Sequence, residues 1–404
     1  MLRTALFASV SSLLLLAACS SDSDDGGAQT GGSAGTGNTA GSAGTGGTAG
    51  GAGGSGGTTG GAGGSAGGTA GGGAGGSTGG SAGSAGSAGS AGSGGGSGEW
   101  ACPAGPFDAP VPDGATPMQV TGVPPADDYS PGFANIEGPV WIGDSLYFSH
   151  IQGGNNPPPS RILKLTGSDV SIFLAEAGTN GLAVGPDGKL YGARHSDGAI
   201  AQIDLATPAT SAVVAGMYGD PAARFDSPND LAIRSDGNIY FSDPDYQAPA
   251  QKPQAQTRVY RISPTKEVSV VDANLGNPNG VTLSLEGDAL FVTASGGLRH
   301  YPVNADGTTG TGTVIAPSIA GDGMGIDCAG RIYATNGQEV VILDVSAAPA
   351  MATVVDTIPI TVPNGGSLTN VAFGGPERKT LFITFLGSTP GLFKIDLAVP
   401  GLPY

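Results

Sequence analysis

The sequence is poor in cysteine, histidine and charge. Its 404 residues include 3 Cys and 3 His, and only 12% are charged. It contains neither a CxxC pair nor a cluster of His and Cys, which argues against a zinc site of the finger type. Lys and Arg together number 16 against 33 Asp and Glu, for a net charge of −17. This balance speaks against nucleic acid or anionic lipid as a partner. It is compatible with cation binding, although solubility alone also accounts for it.

Long apolar runs are missing as well, apart from a short one near the N-terminus. Residues 1–19 place Arg3 before the run Leu13–Leu16, and LAAC follows. The run is too short to span a bilayer, and the pattern is that of a targeting segment. LAAC resembles a bacterial lipobox, which implies lipidation of Cys19 and an outer-membrane lipoprotein, periplasmic or surface-exposed, that touches the membrane through its lipid only. The alternative is an ordinary signal peptide and a secreted product.

A low-complexity segment separates this N-terminus from the rest. Residues 20–98 contain a short acidic patch and then little except Gly, Ser, Ala and Thr. Such a segment has almost no side chain to bury, so we expect a disordered tether. Residues 99–136 are rich in Pro and form a lead-in segment with room for one strand around Met118–Val123. Residues 137–404 are long enough for one large all-β domain.

The folded part repeats one pattern, a β-hairpin. A short apolar strand, an Asp-Gly or similar turn and a second strand recur with starts 43 to 50 residues apart. This period is typical of propeller blades. Six copies predict an all-β fold, a six-bladed β-propeller, and we expect the lead-in strand to complete the last blade. The copies are EGPVWIGDSLYFSH from Glu137, NGLAVGPDGKLYGAR from Asn180, NDLAIRSDGNIYFSD from Asn229, NGVTLSLEGDALFVTA from Asn279, DGMGIDCAGRIYATN from Asp322 and TNVAFGGPERKTLFITF from Thr369.

The first residue of every copy is polar. The innermost strands of a propeller line its channel, so equivalent positions on them form a ring. Oxygen-bearing side chains that converge from separate strands suit a hard divalent cation such as Ca²⁺. The sequence therefore predicts a divalent metal in the channel. For Asn180 a turn residue that satisfies its own backbone is the alternative, and Thr369 is expected to be structural. The ring positions are Glu137, Asn180, Asn229, Asn279, Asp322 and Thr369.

A second ring is expected where the hairpins end. The second strand of each hairpin returns to the mouth at which the first strand begins. Titratable groups there would lie beside the metal, as an active site requires. The positions are His150, Arg194, Asp243, Ala294, Asn336 and Phe385.

Several motifs occur in the order that one family shows. They are EGPVW, RFDSPNDLAIRSDGNIYFSDPDY, NPNGVTL, GDGMGID and TNVAFGGPERKTLFIT. Over about residues 130–404 the chain resembles the gluconolactonase and regucalcin-like six-bladed propellers (SMP-30/gluconolactonase/LRE-like) and, more distantly, the paraoxonases. By this resemblance Glu137, Asn279 and Asp322 are metal ligands. Asn229 matches a channel asparagine of the family that contacts substrate, water or the ion.

The resemblance implies hydrolysis of a lactone or related ester at a Ca²⁺ site. The cation polarises the carbonyl group while a carboxylate takes a proton from the attacking water. Asp322 matches the family's candidate for that base. Asp243 is an alternative, since a carboxylate bound to a cation is a weak base. An Asx-turn within SDPDY is an equally open role for Asp243.

Other residues are candidate substrate contacts. Arg224 precedes SPND, where the family has an arginine that contacts a sugar acid, but a salt bridge to a nearby aspartate would remove it. His195 lies in ARHSDG, which resembles the family's EHG motif. His195 and His150 are candidates to orient substrate or move a proton, and a structural buried histidine is the alternative for both. Asn180 completes the candidate substrate-binding set.

Two cysteines remain once Cys19 is assigned to the lipid. In an oxidising compartment Cys102 and Cys328 either form a disulfide from the start of the domain to the fifth hairpin or stay free thiols. The sequence leaves both states open.

Two functions follow from these observations. The first is an anchored, Ca²⁺-dependent hydrolase whose partner is a small-molecule lactone or ester. The alternative is a non-catalytic propeller that binds a glycan or protein at the envelope and holds a structural channel ion, because fold alone does not settle function.

Overall fold

The chain folds into antiparallel β-strands. The computed structural model describes residues 100–124, 134–153 and 156–402. Within these ranges the only helical element is a 3₁₀ turn, Pro363–Gly365, so the all-β class is confirmed. No helix in the same ranges is long and apolar enough to span a membrane. The targeting segment, the lipidation of Cys19 and the tether lie outside the described residues and stay predictions.

Most strands belong to meanders of four, in which each strand pairs with the next along the chain. The hairpin of each sequence repeat supplies the first two strands of its meander. The first meander is β2 (Ala134–Ile142), β3 (Ser145–Gln152), β4 (Ser160–Thr166) and β5 (Asp169–Leu174). The second is β6 (Thr179–Val184), β7 (Leu190–Arg194), β8 (Ala199–Ile203) and β9 (Ala212–Ala215). A small separate hairpin follows, β10 (Met217–Tyr218) and β11 (Ala223–Arg224).

Three further meanders continue the pattern. The third is β12 (Leu231–Ile233), β13 (Ile239–Asp243), β14 (Arg258–Ile262) and β15 (Val268–Asp272). The fourth is β16 (Val281–Leu283), β17 (Ala289–Ala294), β18 (Gly297–Pro302) and β19 (Thr313–Ala316). The fifth is β20 (Met324–Ile326), β21 (Arg331–Asn336), β22 (Glu339–Asp344) and β23 (Thr353–Pro359).

The sixth meander takes its fourth strand from the lead-in segment. It consists of β24 (Ser367–Gly374), β25 (Thr380–Gly387), β26 (Gly391–Asp396) and β1 (Met118–Gln119). Met118 pairs with Lys394, and Val120 N donates to Leu392 O at 2.9 Å. The first and sixth meanders are also joined directly, because Ala134 in β2 pairs with Gly387 in β25. This backbone link between them is not indicated by the repeat.

The apolar core lies between meanders. Each cluster of buried side chains draws on two meanders that follow one another in the chain, and a further cluster joins the sixth to the first. Phe148 of β3 and Phe382 of β25 belong to that last cluster. Because strands are covered on both faces, their buried residues run almost continuously instead of alternating.

A disulfide holds the lead-in segment to the fifth meander. Cys102 and Cys328 are bonded, with Cα atoms 5.4 Å apart, so the first of the two alternatives for these residues holds. Arg331 reinforces the contact, donating from Nη2 to Asp108 O at 3.2 Å. A native disulfide that closes a long loop typically stabilises a domain by about 2–5 kcal/mol.

Candidate metal centre

The first residue of each repeat lies at an irregular point of its strand ladder. In three meanders a β-bulge interrupts the pairing there, and in the other three the residue stands just before the first strand. A bulge leaves a residue outside the ladder and re-aims its side chain, and bulges occur often beside active sites. The bulges fall between Glu137 and Val140, between Thr179 and Leu182, and between Leu368 and Val371.

Neighbouring inner strands approach each other at the next position of the repeat. Gly181 N donates to Asn229 O at 2.6 Å, and Gly323 N donates to Thr369 O at 2.6 Å. A methyl group on Gly181 would lie 2.7 Å from Cα of Asp230. Only a residue without Cβ allows this contact. The position is glycine in four repeats: Gly138, Gly181, Gly280 and Gly323.

Buried hydroxyl groups occupy the second strands, one residue before the expected second ring. Ser242 donates to Asn279 O at 2.6 Å, and Thr293 donates to Asp322 O at 2.7 Å. Each bond ties the second strand of one meander to the inner strand of the next. The residues that face the first strands thus lie one position earlier than expected, for example Ser149 in place of His150. We call these fully buried side chains the hydroxyl belt: Ser149, Ser242, Thr293, Thr335 and Thr384.

Three carboxyl groups come together at the inner strands. Glu137 is 2% exposed, and its pKa lies well above the usual range because of burial and the neighbouring charges of Asp322 and Asp230. The pKa of Asp322 is likewise raised by burial and by Asp230. Burial also raises the pKa of Asp230 to about 7, although backbone N–H groups of Val281 and Leu231 counteract it. Carboxylates that destabilise one another in this way gain most from a cation among them.

Amide oxygens complete the donor set. Within the part of the chain that the structure describes, no three His, Cys, Asp or Glu side chains lie close enough to hold a metal by themselves. The Asn279 side chain hydrogen-bonds Asp322, yet its buried Oδ1 has no partner. The Oδ1 atoms of Asn135 and Asn180 are also buried without a hydrogen-bond partner. A buried acceptor without a donor is costly, and a cation would satisfy it. The residues present thus fit a hard divalent cation.

Asp230, which follows Asn229 in the third repeat, was not among the residues expected at the site. It is 7% exposed; Oδ1 accepts from Leu231 N at 3.0 Å and Oδ2 accepts from Val281 N at 2.9 Å. Asn370 of the sixth repeat also donates to it. Asp230 and Asn370 occupy the second position of their repeats, where the other four repeats have glycine. A polar residue in place of glycine at this position is the sequence signal that could have singled them out.

Tyr246 is a second residue that no sequence pattern singles out. It lies in the loop after β13, in SDPDY, and the residue remains 44% exposed. Its hydroxyl donates to Asn277 O at 3.3 Å and also hydrogen-bonds the Asn279 side chain. Burial, followed by the charge of Asp322, raises its pKa to about 12, so it stays protonated. Gln247 follows, with Oε1 3.5 Å from Asn180 Nδ2.

Asp243 occupies a structural position. Its side chain is fully buried, and its two oxygens accept from Asp226 N at 3.0 Å and Ser227 N at 2.7 Å. These bonds fix the loop that carries Asn229. The role is therefore structural, as one alternative held, but it is not the expected Asx-turn, because both oxygens bond residues 226 and 227 and not SDPDY itself.

The titration of Asp243 predicts a pH effect on stability. Burial raises its pKa to about 7, against about 4 in an unfolded chain. The folded state therefore binds this proton more tightly, and stability should fall as pH rises through the window from about 4 to about 7. Asp243→Asn cannot ionise, so its stability relative to wild type should increase across this window, by up to about 1.4 kcal/mol per pH unit. Denaturant unfolding in chelator measures this difference, and groups common to both proteins cancel. A difference that is constant from pH 4 to 8 would contradict the assignment.

The two candidate histidines are buried. His195 donates from Nε2 to Pro158 O at 2.7 Å, and burial lowers its pKa to about 4. His150 accepts at Nδ1 from Arg161, with Nη2 at 3.0 Å, and burial and then the Arg161 charge lower its pKa to about 4. Both side chains are fully buried, which favours the structural alternative. A pKa so far below neutrality does not suit a proton shuttle.

Arg224 is held by backbone carbonyl groups. Its guanidinium donates to the carbonyl oxygens of Phe225, Ser196 and His195 at 3.1–3.2 Å. A salt bridge to a nearby aspartate was expected to keep Arg224 from a substrate. The guanidinium is instead bonded to peptide carbonyl oxygens, which engage it equally. Asn229 is 4% exposed, and its backbone carbonyl is tied to Gly181. Glu137, Asn279 and Asp322 are thus brought together, whereas Arg224, His150, His195 and Asp243 each hold other partners.

The sequence is similar to those of two known lactone hydrolases. A gluconolactonase from Zymomonas mobilis is 33% identical over 236 aligned positions, and the match covers 49% of this chain and 64% of that protein. A lactonohydrolase from Aspergillus oryzae is 28% identical over 294 aligned positions, and the match covers 61% of this chain and again 64% of the relative. The match therefore spans a little less than two thirds of the length of each.

A solved structure and a family profile extend this comparison. The structure of a gluconolactonase from Xanthomonas campestris superposes with a TM-score of 0.55 and 24% identity, over 74% of this chain and all of that chain. The likeness supports a propeller-like fold. The profile of the SMP-30/Gluconolactonase/LRE-like region matches residues 136–387, more than half of the sequence. The chain therefore belongs to the SMP-30/gluconolactonase/LRE-like family.

Proposed function

We propose that this protein hydrolyses lactones or related esters with the help of a divalent cation, and that Ca²⁺ is the ion. Glu137, Asn279 and Asp322 would hold it, with Asn229 beside them. The relatives named gluconolactonase and lactonohydrolase support the reaction class. An all-oxygen donor set of carboxylates and amides supports Ca²⁺ over softer metals.

The observation that carries this proposal is a group of buried acids with no Lys or Arg of the described residues among the main influences on their pKa values. Burial raises the pKa of both Glu137 and Asp322, and the charge of Asp230 adds to the shift in both. The amide oxygen of Asn279 stands unpartnered beside them. A purely structural channel would gain from apolar side chains here, whereas a cation site needs this combination.

Several residues of the chain would each contribute to the reaction. The bound ion would supply Lewis acidity toward the carbonyl group of the substrate. Asp322, hydrogen-bonded to Asn279, accepts the proton of the attacking water. Thr293 of the hydroxyl belt holds the backbone carbonyl of Asp322 at 2.7 Å and so fixes its position. Asp230, held by two backbone N–H groups and by the Asn370 side chain, adds a third carboxyl group to the site.

The architecture that we propose is a closed six-bladed propeller. The six meanders follow the six sequence repeats, and the core clusters link consecutive meanders and then the sixth to the first. Asp230 and Asn370, from the third and sixth meanders, hydrogen-bond each other, as residues on opposite sides of a six-membered ring would across its axis.

Turnover of a substrate panel tests the function. Proton release from aldonolactones and aryl esters would be followed with and without chelator, for wild type and Asp322→Ala. We expect turnover that chelator abolishes, that added Ca²⁺ restores, and that the variant lacks. Tight cation binding without turnover of any substrate would instead support the alternative, a non-catalytic propeller that binds a glycan or protein.

The cell envelope is the location that we propose. Lipidation at Cys19 in LAAC and the Gly-rich segment 20–98 would hold the folded region away from the membrane. The mass of the mature N-terminal peptide tests this directly, because an unmodified terminus would rule out the lipid.

A further inference from the structure

Asparagine side chains at the candidate metal centre share one arrangement. The Oδ1 atoms of Asn135, Asn180 and Asn279 are buried and have no hydrogen-bond partner. The amide nitrogens of the first two are bonded to the protein: Asn135 Nδ2 donates to Glu137 Oε1 at 3.2 Å, and Asn180 Nδ2 donates to Gln247 Oε1 at 3.5 Å. These amides are turned so that the nitrogen binds a protein group and the oxygen stays available.

Two groups hold the amide of Asn279 in the same sense. Its side chain hydrogen-bonds the carboxyl group of Asp322 and the hydroxyl of Tyr246. An ionised carboxylate only accepts hydrogen bonds, so the amide nitrogen donates to it. The Tyr246 hydroxyl donates its one hydrogen to Asn277 O at 3.3 Å, so toward Asn279 it can only accept. Both N–H bonds of the amide are therefore directed at protein groups, and Oδ1 is left for a cation.

The loop that carries Tyr246 is fixed by contacts that do not involve the metal ligands. Asp245 N donates to Asn277 Oδ1 at 3.3 Å, and Lys252 Nζ donates to Asp245 Oδ2 at 3.0 Å. Ala248 of the same loop is buried. The hydroxyl thus has a set position before a cation binds, as a group that orients a metal ligand requires.

We propose that Tyr246 is a positioning residue, whose hydroxyl orients the Asn279 amide so that its oxygen and not its nitrogen faces the cation. This inference rests on the proposed function and adds to it a residue that acts through a metal ligand. An amide turned the other way would present two N–H groups to a positive ion, and the bond to Tyr246 opposes that rotation. Partners that orient a ligand in this way typically contribute about 10- to 100-fold to metal affinity.

Calorimetric titration with Ca²⁺ tests the proposal on wild type, Tyr246→Phe and the control Tyr240→Phe. Tyr246→Phe removes only the hydroxyl and keeps the ring, and we expect its dissociation constant for Ca²⁺ to rise about 10-fold. Tyr240→Phe removes a hydroxyl that donates to Gly307 O at 2.6 Å and not to a candidate ligand, so its affinity should stay within about twofold of wild type. Unchanged affinity in Tyr246→Phe would overturn the inference.

An aspartate at position 279 separates orientation of the amide from a merely structural effect. A carboxylate keeps an oxygen ligand for Ca²⁺, but its two oxygens are equivalent, so the hydroxyl has no amide to orient. In the Asn279→Asp background, Tyr246→Phe should therefore change Ca²⁺ affinity less than about twofold. An equal loss in both backgrounds would mean that the hydroxyl acts through the loop alone, and the inference would be wrong.

Initial rates distinguish failure of this inference from failure of the proposed function. Saturating Ca²⁺ should restore most of the kcat/KM of Tyr246→Phe, because the hydroxyl acts on the ion and not on the substrate. A loss that persists at saturating Ca²⁺ would contradict this role. If wild type binds Ca²⁺ but turns over no lactone, the proposed function fails, while the affinities still decide the role of Tyr246. A wild type that binds no divalent cation overturns both.

Discussion

Glu137→Gln is expected to lower the affinity for Ca²⁺ at least 100-fold and kcat/KM at least 1,000-fold. The change keeps the shape of the side chain and removes its charge. Glu137 lies at the bulge of β2, and its carboxylate already accepts from Asn135 Nδ2 at 3.2 Å and Gly138 N at 3.3 Å. Glutamine keeps one of these two acceptors and replaces the other by a donor, which costs about one hydrogen bond, about 1 kcal/mol. The loss of charge falls on cation binding.

The unliganded variant should even be more stable than the unliganded wild type near pH 7. Burial and the charges of Asp322 and Asp230 disfavour an ionised Glu137, and glutamine relieves this cost. Calorimetric titration with Ca²⁺, initial rates and denaturant unfolding in chelator give the three measurements. Glu286→Gln, the same change on the exposed turn between β16 and β17, is the control and should match wild type in all of them. Undiminished Ca²⁺ binding by Glu137→Gln would remove this residue from the site.

Gly280→Ala is expected to destabilise the fold by about 3 kcal/mol or more and to weaken Ca²⁺ binding in the protein that still folds. A methyl group at this position overlaps the carbonyl oxygen of Asp322 and lies 2.8 Å from Cα of Gly323. Both neighbours are backbone, so the fourth and fifth inner strands must move apart. Because Asp322 sits on the strand that moves, stability and cation affinity should fall together.

A matched glycine provides the comparison for this variant. At Gly310 an added methyl group meets Pro302 at 3.5 Å, which is ordinary van der Waals contact. Gly310→Ala should therefore stay within about 0.5 kcal/mol of wild type. Thermal and denaturant unfolding measure the stabilities. If Gly280→Ala unfolds like Gly310→Ala, the close approach of the inner strands is not needed.

The hairpin repeat predicted the strands well because it combines two local signals, apolar strands and turn residues, at a fixed spacing. It also placed Glu137, Asn279 and Asp322 at one position of the repeat, and the family resemblance then marked these three as metal ligands. The second ring was misplaced by one residue. In the pairing of β2 with β3, Ser149 lies opposite Glu137 and His150 lies opposite Ile136, so the serine and not the histidine shares the register of the first ring.

The residues that the sequence did not reveal depend on contacts between distant repeats. Asp230 is held by hydrogen bonds from Val281 N of the next meander and from the Asn370 side chain of the sixth. The local periodicity of the sequence does not predict either contact. Tyr246 lies in a loop, where no strand pattern applies, and only the folded chain shows its hydroxyl beside Asn279. Sequence patterns locate elements, whereas the side chains that meet across them follow from packing.

The pairing of β1 with β26 has a consequence for how the chain matures. The sixth meander stays one strand short until residues near the C-terminus have been synthesised, and the cluster shared with the first meander stays open for as long. No early portion of the polypeptide can complete the sixth meander. A nascent chain thus leaves apolar surface uncovered until Gly391–Asp396 have been made, and deletion of β26 should harm folding as much as deletion of β1.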